Sequence, residues 1–238
     1  MRVPSTEVQN NFGKYLKFAE ANEEIIITKN GRDVAKLVRC EPETAGEEAE
    51  EYLAEGERVT YEQYLELTEN SEHRYELIDG VLYFMASPSY GHQAAVSELN
   101  FAFRAWFKGK PCSVLPAPFD VTLVKSPANI CVVQPDIVVL CDKENIDEKG
   151  KYKGVPVLVV EVLSPGTRVK DMIKKLNLYH ACGVKEYWIV DPEQKQIDIY
   201  AFRGENDIVR VSFNSAQDSA ASVIFEGLTV SLNDVFSA

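Results

Sequence analysis

What this chain lacks narrows the possibilities at once. It has no stretch of about 18 uninterrupted apolar residues, the length a membrane-crossing helix needs. Its opening, Met1-Arg2-Val3-Pro4-Ser5-Thr6-Glu7, has no apolar core of the secretory type, so a cytoplasmic protein is expected. Cysteine is sparse: Cys40, Cys112, Cys131, Cys141 and Cys182 form an odd, scattered set with no C-x-x-C spacing. That pattern argues against a disulfide framework and against a zinc site, and predicts reduced, mostly buried thiols. Repeats and low-complexity blocks are also missing. Positive charge is the minority sign, 25 Lys/Arg against 37 Asp/Glu for a net charge of -12, whereas a nucleic-acid footprint is usually basic.

The distribution of charge qualifies that exclusion. Met1 to Cys40 carries seven Lys/Arg against five Asp/Glu, while Glu41 to Glu57 carries eight glutamates and no basic residue. So acidic a segment cannot bury enough apolar surface to fold unaided, and residues 43–57 are expected to be a linker between a domain at 1–42 and one at 58–238. Its simplest reading is a solvated connection. A sharper one is a polyanion that mimics a phosphate backbone and restrains a neighbouring cleft.

The first domain reads as a short strand at Arg2-Val3 followed by a helix over roughly Glu7 to Ala21. Ser5 or Thr6 can cap it, and Val8, Phe12, Tyr15, Leu16 and Ala19 recur on one helical face. A hairpin follows, with runs at 24–28 and 33–38 turning at Asn30-Gly31. This stretch, VPSTEVQNNFGKYLKFAEANEEIIITKNGRDVAKLV, resembles the N-terminal module of the Phd/YefM antitoxins. The resemblance implies a homodimer that binds operator DNA, with a toxin partner engaged downstream. By position, Gln9, Lys14 and Lys29 would be the nucleic-acid-binding residues.

The second domain carries the chemistry. Thr60 caps a helix to about Leu67, Tyr75 to Phe84 is a hairpin with an Asp-Gly turn, and a helix runs from about His92 to Phe107 with Val96, Leu99, Phe103 and Trp106 at core spacing. Strands are expected near Phe119–Val124, Val132–Cys141 and Val155–Leu163, then a helix from about Thr167 to Cys182 ended by Gly183. A pair at 186–191 and 197–202 and two final strands complete an α+β domain built on one mixed sheet flanked by helices.

Two acids interrupt this apolar pattern, Asp136 in Gln134-Pro135-Asp136-Ile137-Val138 and Glu161 in Val159-Val160-Glu161-Val162-Leu163. An ionised carboxylate inside a strand costs several kcal/mol or more, order of magnitude, unless a cation or hydrogen bonds compensate it. Two such acids in one cleft could share Mg²⁺ or Mn²⁺, the inventory of phosphodiester hydrolysis. On the next helix Asp171, Lys175 and Tyr179 recur at i, i+4 and i+8, which offers an ammonium to developing phosphate charge. From spacing alone Lys175 could equally be an exposed partner of Asp171, and Glu76 a hairpin-surface partner of Arg74.

The segments YELIDGVLY, SPSYGHQ, VVQPDIVVL, VLVVEVLSPGTR and DMIKKLNLYHACGVKEYWIVDP together resemble the Uma2 (DUF820) family, a restriction-endonuclease-like branch of the PD-(D/E)XK nuclease superfamily. The likeness runs from about Val59 to the C-terminus. It implies a nuclease-like fold in which Asp136 and Glu161 hold the metal and Glu76 is a further acid of the catalytic set, with His92 near the cleft. The parent pattern sets its lysine two residues after the second acid, and that position is Leu163 here. The resemblance implies that in this branch the lysine sits on the following helix, which makes Lys175 the general base or charge stabiliser. The chain is thus expected to be a metal-dependent DNA endonuclease behind an antitoxin-like DNA-binding domain; the alternative is a non-catalytic DNA-binding autorepressor.

Overall fold

The structure, a computed structural model, describes residues 2–10, 12, 15, 25–37, 58–69, 71–164, 168, 170–204 and 207–237. The acidic segment 43–57 and Lys14 lie outside these residues, as do Leu16 and Ala19. The chain divides into two compact units, Met1–Tyr52 and Leu53–Ala238.

In the first unit, β1 (Arg2–Pro4) runs parallel to β2 (Ile25–Lys29), which pairs antiparallel with β3 (Arg32–Leu37). The β2–β3 turn is Asn30-Gly31 with both residues at positive φ, 52° and 75°, the conformation that suits the twist of a two-residue hairpin. Helix α1 is Ser5–Asn10, and Phe12 and Tyr15 are also helical. The core is small: Val3, Val8, Tyr15 and Ile25. Phe12, expected on the buried stripe, is 53% exposed.

The second unit opens with α2 (Tyr61–Glu69), whose start is a reciprocal capping box: Gln63 N donates to Thr60 Oγ1 at 3.2 Å and Thr60 N to Gln63 Oε1 at 2.7 Å. Next come β4 (Tyr75–Ile78), β5 (Val81–Phe84), α3 (Tyr90–Phe107), β6 (Ser113–Pro116), β7 (Val121–Ser126), β8 (Asn129–Val133) and β9 (Ile137–Leu140). After β10 (Leu158–Val162), a wide π-helical turn over Lys170–Lys175 leads directly into α4 (Leu176–Cys182). Gly183, at φ 89°, ends that helix as expected. Then follow β11 (Glu186–Asp191), β12 (Gln196–Gly204), β13 (Asp207–Phe213), β14 (Ser219–Ala221), β15 (Thr229–Ser231) and α5 (Leu232–Val235), one strand more at the end than expected.

The expected mixed sheet is six-stranded, in the order β13-β12-β11-β10-β9-β6, with only β10 and β11 parallel. A separate antiparallel sheet, β5-β4-β8-β7, and a β14-β15 ribbon accompany it. The run 132–141, expected as one strand, is divided between the two sheets: β8 belongs to one, β9 to the other, and Gln134-Pro135-Asp136 is the corner. Pro135 explains the break, since it has no N–H for a ladder bond.

Two apolar layers sandwich the six-stranded sheet. Alternate residues of β9 and β10 (Ile137, Val139, Leu158, Val160, Val162) pack with α3, and the others (Val138, Leu140, Val159) pack with Leu163, α4 and the four-stranded sheet. Strand pairing also aligns Cys112 with Cys141, one step beyond the Ser113–Leu140 pair, and the two form a disulfide with Cα atoms 4.1 Å apart. The expectation of reduced thiols is corrected there, because sequence spacing cannot reveal register. Cys131 and Cys182 are free, and Cys40 lies outside the described residues.

Candidate active site

Register brings the two interrupting acids together. β9 and β10 pair Val138 with Val159 and Ile137 with Val160, and one further step sets Asp136 opposite Glu161. By alternation, Asp136 shares a sheet face with Val138, and Glu161 shares one with Val159 and Leu163, all in the layer beneath α4. Both acids therefore face the same way. They differ in burial: Glu161 is 4% exposed within its strand, whereas Asp136 is half-buried at the corner just before β9. The corner fixes it from both sides. Ala117 N donates to the Asp136 carbonyl at 3.0 Å, and Val162 N donates to Asp136 Oδ2 at 2.7 Å.

Lys175 is interior, 2% exposed, and its ammonium meets three carboxylates: Glu161 Oε1 at 2.8 Å, Glu76 Oε1 at 2.8 Å and Asp171 Oδ1 at 3.4 Å. The reading of an exposed Asp171–Lys175 pair is thereby replaced by a buried network. Glu76 is fully buried rather than on the hairpin surface, because all four residues of β4 lie between the two sheets' cores and α2. Its Oε1 also accepts from Gln134 N at 3.1 Å and its Oε2 from Lys170 Nζ at 2.7 Å. Tyr179 OH donates to Glu161 Oε1 at 2.7 Å. His92, in the first turn of α3, sets its Nε2 3.3 Å from Asp136 Oδ2. Glu76, Asp136, Glu161 and Lys175 thus form one cluster. Gln9 and Lys29 lie in the other unit, both on exposed positions.

The wide turn makes this possible. Lys170–Lys175 is π-helical, and π-turns recur where a helix must present side chains at a functional site. Here Asp171 and Lys175 point inward while Lys174 stays exposed.

Protonation follows from the charge count: Glu76, Asp136, Glu161 and Asp171 face Lys170 and Lys175. Burial pushes the Glu161 carboxyl up, Lys175 opposes it, and the carboxylates of Asp171, Asp136 and Glu76 add to the rise, to about 8. Burial acts on Glu76 in the same direction, but Lys175 and Lys170 outweigh it and hold that carboxyl below its ordinary value. For Lys175, burial favours the neutral amine, and Glu161 and Glu76 more than reverse it, so the amine stays protonated. His92 is raised: burial disfavours its cation, and the hydrogen bond and charge of Asp136 prevail.

This donor set fits a hard divalent cation. Such an ion would stabilise the ionised Glu161 that burial and the neighbouring carboxylates disfavour, the ligating atoms are carboxylate oxygens, and buried Gln134 Oε1 beside the corner has no hydrogen-bond partner among the described residues. Among those residues no group of three or more His, Cys, Asp or Glu forms a metal cage.

Sequence reasoning missed Lys170, which bonds Glu76, and Asp171's place inside the cluster; the signal available was the KDMIKK run, of which only Asp171 and Lys175 were placed, on a surface stripe with Tyr179.

Fold and site together define a nuclease-like α+β protein preceded by a small αβ unit. The chain belongs to the Uma2 family, whose model, described as "Putative restriction endonuclease", matches residues 61–233. Residues 1–74 match the model of the Phd_YefM antitoxin family of type II toxin-antitoxin systems, which the N-terminal unit resembles. An uncharacterized protein of Synechocystis sp. is 28% identical over 182 residues, 72% of this chain and 93% of that protein. A crystal structure from Anabaena variabilis, described as a putative nuclease belonging to DUF820, superposes with a TM-score of 0.62 at 20% identity, covering 75% of this chain and 98% of that one. The likeness shows the shared fold. Among the described residues no helix is long and apolar enough to cross a membrane.

Proposed function

We propose that the second unit is a DNA endonuclease that requires Mg²⁺ or Mn²⁺. One observation carries this reading: Asp136 and Glu161 stand opposite each other on one sheet face, within a cluster that holds more carboxylate than its two lysines balance. Asp136 and Glu161 would hold the metal, which when bound lowers the pKa of a coordinated water and polarises a phosphoryl oxygen.

The chain's own residues do the rest. Lys175 is not the base, because its ammonium faces three carboxylates that keep it charged; it serves as the fixed counter-charge that keeps Glu161 and Glu76 in place. Glu76 spans the two sheets, holding Lys170 and Lys175 with one carboxylate and the backbone of the Gln134–Asp136 corner through Gln134 N. Tyr179 orients Glu161, and His92 orients Asp136 while retaining a proton at Nε2 above the pH at which a free imidazole loses it.

For the first unit the reading is a DNA-binding homodimer of the antitoxin type, cytoplasmic, with a toxin as a further partner. Its core of Val3, Val8, Tyr15 and Ile25 is small, and the exposed ring of Phe12 is apolar surface a second copy would cover. Gln9 and Lys29, both exposed, would face DNA. Two copies would bring two cleavage sites to one duplex.

The test is supercoiled plasmid with the full chain and Mg²⁺ or Mn²⁺, beside Glu161→Ala, Lys175→Ala and an EDTA control. Metal-dependent nicking or linearisation that disappears in Glu161→Ala is expected. A mobility shift with no cutting by the parent protein would instead favour the autorepressor.

A further inference from the structure

A polyanionic substrate must approach a cluster of carboxylates in a protein of net charge -12, so something at the site's mouth has to attract phosphate. Most basic side chains there are already spent. Lys175 faces Glu161, Glu76 and Asp171; Lys170 bonds Glu76; Arg168 pairs with Asp191 and Glu193; and Lys125 pairs with Asp79.

Lys174 is different. It is exposed, it makes no ion pair among the described residues, and its ammonium donates to a neutral phenol, Tyr83 OH. Tyr83 is the cross-strand partner of Glu76, so this phenol stands beside the buried acid at the edge of the cluster. Two ammoniums lie near the same side chain: Lys174 Nζ is 5.0 Å and Lys170 Nζ 5.3 Å from the ring centre. Lys174 is held at the phenol oxygen and Lys170 lies within cation–π range of the ring, and neither contact neutralises the cation.

We propose that Lys174, aimed by Tyr83 and backed by Lys170, is the contact for a backbone phosphate of the nucleic-acid strand entering this site. A phenol suits the task because a carboxylate partner would cancel the charge, and solvent alone would leave the lysine's four-carbon stem unordered. Lys170, bonded to Glu76, adds a partly compensated second charge on the same ring. The inference rests on a nucleic-acid strand being what this site engages, but it concerns binding alone and can be tested without cleavage.

The experiment is fluorescence anisotropy of a labelled single-stranded oligonucleotide with the full chain in EDTA, across a salt series, for the parent, Lys174→Ala, Lys174→Arg, Tyr83→Phe and a distant exposed control, Lys149→Ala. The N-terminal unit is present in every variant, so its contribution cancels in the comparison. Loss of one phosphate contact lowers the magnitude of the log Kd against log salt slope by about 0.7 for a single strand. Lys174→Ala is expected to show that loss with several-fold weaker binding at low salt, Lys174→Arg to retain the slope, Tyr83→Phe to weaken binding less than Lys174→Ala, and Lys149→Ala to match the parent. An unchanged slope in Lys174→Ala, or no binding by the parent, overturns the proposal. Plasmid cleavage separates the two readings: a fallen slope without any cutting sustains the phosphate contact and removes the nuclease, whereas cutting with an unchanged slope does the reverse.

Discussion

The first unit and the buried cluster of the second hold their charged residues in opposite ways. In the first, the named polar residues Gln9 and Lys29 are exposed, and the Arg2–Asp33 ion pair has side chains 68% and 50% exposed, a setting in which such pairs contribute little. In the second, Glu76, Glu161, Asp171 and Lys175 are all at most 4% exposed and bonded to one another. Exposed charge can be rearranged at little cost, whereas buried charge stays only where its partners are fixed. The contrast predicts that substitutions in the buried cluster disturb folding and chemistry together, and those at the exposed positions of the first unit disturb binding alone.

The largest effect should come from the facing acids. Asp136→Ala or Glu161→Ala should lower metal-dependent cleavage by about 10³-fold, on the scale of removing a preorganised electrostatic group from an active site. Retention of a tenth of the parent rate in either variant would break the comparison. Next comes Glu76→Ala, which strands two lysines against a buried corner; breaking a buried pair from one side costs about 3–5 kcal/mol, readable as a lower denaturation midpoint in urea.

A third prediction concerns pH. The Glu161 carboxyl titrates at about 8 in the folded chain against an ordinary value of 4.5, so between those values the native state keeps a proton that the unfolded chain has released. Its contribution to stability is complete below about 4.5 and is lost as pH rises through about 8. Without divalent ions, the thermal midpoint should fall across that window; Glu161→Gln should flatten the fall, and so should Mg²⁺. The smallest effects belong to the first unit. Lys29→Ala and Gln9→Ala should leave the unfolding midpoint unchanged and weaken duplex binding only a few-fold, with a reduced salt slope for Lys29→Ala alone.

The sequence revealed local features best where one residue type dictates a conformation. Asn30-Gly31 and Asp79-Gly80 both form turns with positive φ at each residue, Thr60 and Gln63 form their box, and Gly183 ends its helix. The acids stood out because a carboxylate amid valines demands compensation. What sequence could not convey was pairing across distance. The second sheet, the division of 132–141 at Pro135, the Cys112–Cys141 disulfide and the burial of Glu76 all depend on register and layer contacts between segments far apart in the chain. Phe12 failed for a related reason, since helical spacing groups residues on one face but does not say which of them a neighbouring element covers.

Direct measurement of Mn²⁺ binding, by calorimetry together with electron paramagnetic resonance of the bound ion, tests the central claim that Asp136 and Glu161 jointly hold a divalent cation. The account predicts saturable binding to the parent protein, displaced by Mg²⁺ and lost in both Asp136→Asn and Glu161→Gln while each variant remains folded. Equal Mn²⁺ affinity in the parent and both variants, or none in the parent, would contradict it.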